Sequence, residues 1–369
     1  MTALGAAVTL HELESDPHPV LARLREHEPV AWIPALNAWL VTSRELALHV
    51  MRDAATFTVD DPRFSTGQVV GPSMLTRDGA EHARHRAPFA DSLRLAAVRE
   101  RFSPVVEAET DALIDGFEAD GRAELRRALA GPLAARVVAT LLGLESAETG
   151  AMLRWYDAIV KSVDVITAGG EPTTAGAEAF EQLREAVEPS LRDVGDLRPE
   201  EAVSNAAVMM FGGIETTEGM IANLMFHLLA KHEGEIDPIA LPNAVEESLR
   251  LEPAAAVIDR YATEDVTIAG AKIARGDLVT ISLAGANRDP SFFPYPDRFD
   301  IHRENARHNI AFAHGPHVCV GMHLARVEAL TAARQLLERL PGLRVDPERP
   351  AAPRGLVFRK PPTLDVLWG

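Results

Sequence analysis

The residues of this chain best suited to chemistry lie in one stretch, Phe312-Ala313-His314-Gly315-Pro316-His317-Val318-Cys319-Val320-Gly321, which runs into an apolar-periodic helix. Gly315 and Gly321 permit a tight loop and a close backbone approach to something flat or bulky. The only cysteine, Cys319, stands just before the helix N-terminus, where amide donors stabilise a thiolate and lower its pKa. Three readings follow from the residue types. The first is a buried structural cysteine, since free cysteine is among the most buried side chains. The second is zinc held by His314, His317, Cys319 and His323, although zinc sites usually draw on two spaced pairs and one loop supplying four ligands is cramped. The third is a thiolate that ligates another metal or acts as a nucleophile.

Four further stretches carry chemistry. Glu247 and Arg250 in Glu247-Ser248-Leu249-Arg250 are three apart on a helix and can pair bidentately; Pro296-Asp297-Arg298-Phe299 offers another arginine downstream. Gly212-Gly213-Ile214-Glu215-Thr216-Thr217 places two glycines inside a long helix, at ~1 kcal/mol each relative to alanine. Either close helix packing or a kink that opens room for a cofactor gives a reason for them. The Thr216 hydroxyl can donate to the Gly212 carbonyl four residues back, and an acid beside a hydroxyl at such an opening can relay protons. In Glu81-His82-Ala83-Arg84-His85-Arg86, His82 and Arg86 face the same way and form a clamp for an anion, while Arg84 and His85 read as a solvated basic face.

In this order along the chain, these motifs resemble the cytochrome P-450 family, whose cysteine loop reads Phe, two residues, Gly, three residues, Cys, one residue, Gly. Phe312, Gly315, Cys319 and Gly321 occupy those positions, and Ala313 departs from the glycine more common after the Phe. The resemblance covers roughly 78–340. It implies that Cys319 is the axial ligand of haem b iron, that Glu215 and Thr216 are the catalytic acid–alcohol pair serving dioxygen, and that His82, Arg86, Arg260 and His317 bind haem propionates. It further implies a buried structural triad of Glu247, Arg250 and Arg298. By position and resemblance the substrate pocket draws on Val69, Val70, Met74, Val208, Phe211, Gly212, Ala256, Val257 and Leu356. The implied activity is a monooxygenase acting on a mostly apolar small molecule; a peroxygenase, or oxidative coupling or nitration at the same site, is the alternative. With no flavin or iron–sulfur segment in the chain, electrons come from a ferredoxin or flavodoxin, and Arg303, Arg307, His308, His323 and Arg326 are expected to form a basic docking face for it.

The elements that must position these residues are mostly helical. The patterns predict helices over 43–52, 79–89, 93–118, 122–142, 147–166, 176–194, 199–230 and 241–251, and a last one over 321–339. Residues 202–230 are apolar almost all round, so this helix should be central. Strands are expected at 257–261, 266–273 and 278–283, followed by an irregular loop over 286–313. Segment 231–243 looks short for the family, so one small helix is expected to be lost there. No linker or repeat divides the chain. The expected architecture is therefore mainly α with a small β portion, one P-450 domain over 1–369.

Composition bounds the rest. Lys and Arg number 37 against 54 Asp and Glu, a net charge of −17, which argues against a nucleic-acid binder. Hydrophobic residues at 47% fit a folded globular chain. No apolar run reaches the ~20 residues of a membrane span, no basic residue precedes the mildly apolar start, and a single cysteine forms no internal disulfide. A cytoplasmic protein without a membrane anchor is expected.

Overall fold

The computed structural model describes residues 3–369 apart from 145–147, 168–169, 192–193, 233 and 235. Helix α1 (Leu10–Ser15) opens on a capping box between Thr9 and Glu12. It is followed by α2 (His18–His27), β1 (Val30–Ile33), β2 (Ala38–Val41), α3 (Arg44–Arg52, capped by Ser43), β3 (Phe57–Thr58), α4 (Ser65–Val70), α5 (Gly79–Ala90), α6 (Leu95–Ala97) and α7 (Ser103–Asp115). Next come β4 (Arg122–Glu124), α8 (Gly131–Leu142), α9 (Thr149–Thr167), α10 (Thr174–Val187), α11 (Pro199–Ala230) and α12 (Leu241–Leu251). The C-terminal third holds β5 (Val257–Ala262), β6 (Val266–Ile268), β7 (Ala271–Ile273), β8 (Leu278–Ser282), the single turn α13 (Leu283–Ala286), α14 (Met322–Arg339), β9 (Arg344–Val345) and β10 (Asp365–Leu367).

Where long-range pairing competes with local pattern, pairing wins. The helix expected over 122–142 begins as strand β4, because Arg122–Glu124 pairs antiparallel with β10 at the other end of the chain, and a π-turn at Arg126–Ala130 separates it from α8. The helix expected over 93–118 is interrupted at Arg94, whose backbone is extended, and by a second π-turn at Val98–Phe102. The strand expected over 266–273 is the hairpin β6–β7, because Ala269 and Gly270 both take positive φ, 49° and 85°, at its turn. The helix expected over 147–166 starts at Thr149, Ala147 lying outside the described residues. The one expected over 176–194 ends at Val187 before a 3-10 turn, with 192–193 outside the described residues. Between α11 and α12 the described residues form only the turn Pro238–Ala240.

Three packed groups result. Strands run in the order β1-β2-β8-β5-β3 in one sheet, with β2 and β8 parallel and the other neighbours antiparallel, and β4-β10-β9 form a second sheet. The first sheet packs Val41, Phe57, Val279 and Ile281 against α3 residues Ala47, Val50 and Met51. The N-terminal helices pack Leu13, Leu21 and Leu24 onto Ile33 and Leu40. The largest core surrounds α11, which touches α8, α9, α10, α12 and α14. A helix buried on nearly every face gains apolar burial all round, which is why the sequence pattern of α11 is apolar all round too. Among the described residues, no helix is long and apolar enough to cross a membrane.

Candidate active site

The cysteine loop is shaped by its own backbone and by α3. The Cys319 amide donates to the Phe312 carbonyl at 2.9 Å and that of Val318 to Gly315 at 3.1 Å. Gly315 has φ 76°, and a Cβ there would stand 2.5 Å from the Met51 carbonyl, so only glycine fits. Ala313 shares the left-handed conformation at φ 60°, where a side chain costs about 1–2 kcal/mol. The Arg326 guanidinium lies 4.5 Å from the Phe312 ring centroid. Burial pushes the Cys319 thiol up, while the Gly321 amide, Arg86 and Arg326 favour its thiolate. The Cys319 side chain is uncovered at close range although protein surrounds it at longer range. Together these put the sulfur on the wall of an internal space and not on the outer surface. Among the described residues no three His, Cys, Asp or Glu side chains are placed to share a metal ion, so His314, His317, Cys319 and His323 do not converge as zinc ligands.

One chain of contacts joins the other candidates to this loop. His82 is buried, with Nδ1 2.8 Å from the Met74 carbonyl and Nε2 3.1 Å from that of Pro316. Its ring centroid is 4.2 Å from that of His317, whose Nε2 meets Asp78 Oδ1 at 2.6 Å. Burial first, then His317 and Arg86, push the His82 pKa down. Asp78, missed in the sequence, also accepts from the Thr58 hydroxyl and the Val59 amide. Burial raises its pKa, but these hydrogen bonds and His317 outweigh burial and hold it at about 2. Arg86 lies close enough to Cys319 for the two to favour each other's charged forms, and among the described residues it has no carboxylate or carbonyl partner. Arg260, 5% exposed, makes one hydrogen bond among the described residues, to the neighbouring Asp259 carbonyl. Burial lowers its pKa to about 10, with Asp78 and Asp259 opposing. The solvated basic face expected of Arg84 and His85 is absent: Arg84 grips Glu201 with two bonds of 2.9 Å, and His85 is fully buried against Asn205.

The triad exists with a different third member. Arg250 binds Glu247 bidentately at 2.7 and 2.9 Å, and Arg303 Nε binds the same carboxylate at 2.9 Å. Arg298 is exposed and offers only its carbonyl, to Arg250 and Arg303. Arg303 is therefore also removed from the expected basic face. Of the remaining docking candidates Arg307 and His308 are exposed, while Arg326 pairs with Glu246 at 2.5 Å.

On α11, every residue from Glu201 to Leu228 is buried except Val208, Gly212, Gly213 and Thr216. Three of these recur at a spacing of four, so one stripe of a core helix faces open space. A Cβ on Gly212 would meet nothing within 4 Å, whereas one on Gly213 would stand 2.6 Å from Val138 of α8. The first glycine leaves room and the second allows helix packing. Thr216 Oγ1 donates to the Gly212 carbonyl at 2.5 Å. Glu215 is buried and meets Lys360 Nζ at 2.8 Å, a lysine that no motif or spacing marks.

The substrate candidates divide. Val69, Val70, Met74, Val208 and Phe211 belong to the core around α11. Ala256 and Leu356 pack with the N-terminal helices, and together with Val257 they line a crevice of about 10 Å³ that contains no residue of the cysteine loop. From their neighbourhood it is Phe358 that reaches the α11 wall, its ring centroid 5.5 Å from that of Phe211. The donor set fits a flat, sulfur-ligated macrocycle bearing carboxylates: a thiol on an internal wall, with two guanidiniums nearby that lack carboxylate partners.

A family model described as Cytochrome P450 matches residues 240–366. The chain is 35% identical to cytochrome P450 monooxygenase PikC of Streptomyces venezuelae, over 96% of this chain and 90% of that protein. It is 33% identical to mycinamicin IV hydroxylase/epoxidase of Micromonospora griseorubida, over 94% of each. Among solved structures it resembles P450BioI, crystallised with a hexadec-9Z-enoic acid ligated acyl carrier protein, with TM-score 0.87 and 28% identity, covering 97% of this chain and 100% of that one. CalO2 gives the same TM-score and identity over 98% and 99%.

Proposed function

The chain belongs to the cytochrome P450 family and is a monooxygenase of the haem-thiolate type, and from that premise we propose that it hydroxylates a mostly apolar small molecule, using haem b, as one catalytic unit over residues 1–369. When bound, the haem supplies activation of dioxygen at a thiolate-ligated iron. Cys319 gives the thiolate, favoured by the Gly321 amide and by Arg86 and Arg326. Arg86 and Arg260 hold the propionates; His82 and His317, expected to bind them too, brace the wall there instead, because both His82 nitrogens meet the Met74 and Pro316 carbonyls and His317 Nε2 meets Asp78. Phe312, Gly315 and Gly321 keep the loop close and the sulfur oriented. Thr216 holds a hydroxyl proton at Oγ1 on the open stripe of α11, and Glu215 resupplies it from the far side of the helix. Val69, Val70, Met74, Val208, Phe211 and Gly212, with Phe358, form an apolar wall that orients substrate by shape and excludes water; Ala256, Val257 and Leu356 shape it from behind. Relatives named as a monooxygenase and as a hydroxylase/epoxidase support oxygen insertion as the reaction.

Electrons come from a ferredoxin or flavodoxin. Exposed Arg52 lies against Gly315 of the cysteine loop and exposed Arg99 near His323 just after it, with exposed Arg307 and His308 a few positions upstream in sequence, on a chain of net charge −17, which favours an acidic donor at that face. A cytoplasmic location suits a thiol that must remain reduced. The observation that carries this reading is Cys319 with Arg86 near it, and Arg260 near Asp78, which holds His317 of the same loop; among the described residues neither guanidinium has a carboxylate ion-pair partner. Its test is haem titration into the apoprotein and the carbon-monoxide difference spectrum of the reduced form. We expect a thiolate-type band that Cys319→Ser abolishes, and weaker haem retention in Arg86→Ala and Arg260→Ala. A thiolate band that survives Cys319→Ser would overturn the ligand.

A further inference from the structure

Among the buried polar side chains of α11, Glu215 and Glu218 meet Lys360 at 2.8 and 2.5 Å. Asn205, fully buried nearer the start of the helix, belongs to a separate network. Its Oδ1 accepts the Met74 amide at 2.8 Å. Its Nδ2 donates to the Glu201 carbonyl at 2.7 Å and meets His85 Nδ1 at 2.8 Å. A backbone N–H only donates and a carbonyl only accepts, so Met74 and Glu201 fix which way the carboxamide points. His85 Nδ1 is therefore the acceptor, and burial, which pushes the His85 pKa down, keeps that nitrogen free of a proton. Both amide hydrogens and the oxygen of Asn205 are used, and a buried polar network satisfied in this way holds one geometry.

What Asn205 holds is a loop laid across the end of the open stripe. The stripe runs through Val208, Gly212 and Thr216, and its spacing of four extends back to Ser204. Ser204 is buried, and Gly71 lies on it, a Cβ at 71 standing 3.2 Å from Ser204 Oγ. The chain then enters a tight turn over 73–76 that its own hydroxyls close: the Ser73 amide donates to Thr76 Oγ1 at 2.9 Å and the Leu75 amide to Ser73 Oγ at 3.3 Å. Met74, in that turn, is tied at both backbone groups, its amide to Asn205 and its carbonyl to His82 Nδ1 at 2.8 Å. A turn so closed moves as a unit when a tie is lost. We infer that Asn205 is the positioning residue of the substrate wall: by holding loop 71–74 across the stripe at Ser204 it sets how far the space over α11 extends, and thereby the size of the small molecule accepted. His85 acts through it by fixing the carboxamide. The inference rests on the proposed placement of substrate along that stripe.

The test uses the ferric haem-bound protein and azole probes that ligate haem iron, followed by the shift of the haem absorption band. Imidazole needs only the iron, whereas the ring of 4-phenylimidazole must also pack on the wall. Asn205→Leu keeps the branched shape and loses the bonds. It should leave imidazole affinity unchanged and weaken 4-phenylimidazole by about tenfold, while the bulkier azole clotrimazole loses less because the enlarged space receives it. His85→Leu should act in the same direction and less strongly; His85→Gln, whose side-chain oxygen can accept from Nδ2, should restore the wild-type ratio of affinities. In Asn205→Leu the Met74 amide should also lose its protection from hydrogen exchange while the α11 amides keep theirs. A merely structural asparagine would lower the melting temperature and leave the ratio of affinities where it was. That result, or an equal loss for all three probes, overturns the inference. If Asn205→Leu does not fold, the ratio in His85→Leu and its return in His85→Gln still decide. Failure of the monooxygenase reading is seen separately, as a wild-type protein without a thiolate-type carbon-monoxide band, and would take the inference down with it.

Discussion

Two clusters of buried charge in this molecule use the same ingredients and reach opposite ends. Around Glu247, the N–H groups of Arg250 and Arg303 are tied down: they bind the carboxylate and the carbonyls of Asn287, Pro294, Tyr295, Pro296 and Arg298. Glu247 in turn accepts the Asp300 amide. The cluster thereby nails an irregular, proline-rich loop to α12. Around Lys360, two carboxylates compete for one ammonium beside a cavity of about 250 Å³. Charge closed off by backbone carbonyls becomes a clamp; charge left beside a polar space keeps the freedom to exchange partners.

The difference is open to measurement, and its largest signature is stability. Glu247→Gln leaves two guanidiniums without a counter-charge in the interior, where Glu247 and Arg250 are both 0% exposed, and should cost about 3–5 kcal/mol. Lys360→Met leaves its carboxylates facing the cavity, which water can enter, and should cost under about 2 kcal/mol. Urea denaturation of the haem-loaded proteins at neutral pH compares them. Equal losses would mean that the Lys360 cluster is a second clamp.

Acid sharpens the contrast on the loop side. The Asp78 carboxyl is held at about 2, below its ordinary value of 3.8, by His317, Thr58 and the Val59 amide acting against burial. Because the folded pKa is depressed, the unfolded chain binds the extra proton. The contribution is therefore complete above the unfolded value and is lost as pH falls through the folded one. It amounts to about 2 kcal/mol and should shrink to a few tenths near pH ~2. The stability gap between wild type and Asp78→Asn, followed by urea melts from neutral to acid pH, should close over that window. A gap independent of pH would show that Asp78 acts through packing alone.

What could be read from residues differs between the two regions for a physical reason. Helices α11 and α12 run over the residues expected, because uniform burial and a pairing motif at helical spacing are local signals. The cysteine loop likewise declares itself within ten residues, and the structure joins Cys319 to His82, Arg86, His317 and Arg260. Arg298 and Arg303 lie in one irregular loop, where only the fold decides which side chain turns inward to Glu247. Lys360 was invisible: it reaches Glu215 across 145 positions of sequence, and nothing in Phe358-Arg359-Lys360-Pro361 marks a partner. Strand β4 failed likewise, its partner β10 being near the C-terminus.

The smallest effect tests how firmly the clamped side is held. Ala313 sits at φ 60°, in the loop whose flank Glu247 and Arg303 fix. A left-handed residue with a Cβ carries about 1–2 kcal/mol of strain, which glycine removes. Against this, glycine enlarges the freedom of the unfolded chain by about 0.5–1 kcal/mol. The half-buried Ala313 methyl, packed on the cluster of Val50, Met51 and Ile310, contributes about 0.4 kcal/mol that would be lost. Ala313→Gly should therefore stabilise the protein slightly, by about 0.5 kcal/mol, the reverse of the usual alanine-to-glycine sign. Paired urea midpoints for Ala313→Gly and for Ala254→Gly, a buried alanine at ordinary φ, separate the cases: the first should rise and the second fall. If both fall, the loop is relaxed and methyl packing governs it. If only Ala254→Gly falls, the clamped side is rigid enough to hold a strained residue in place.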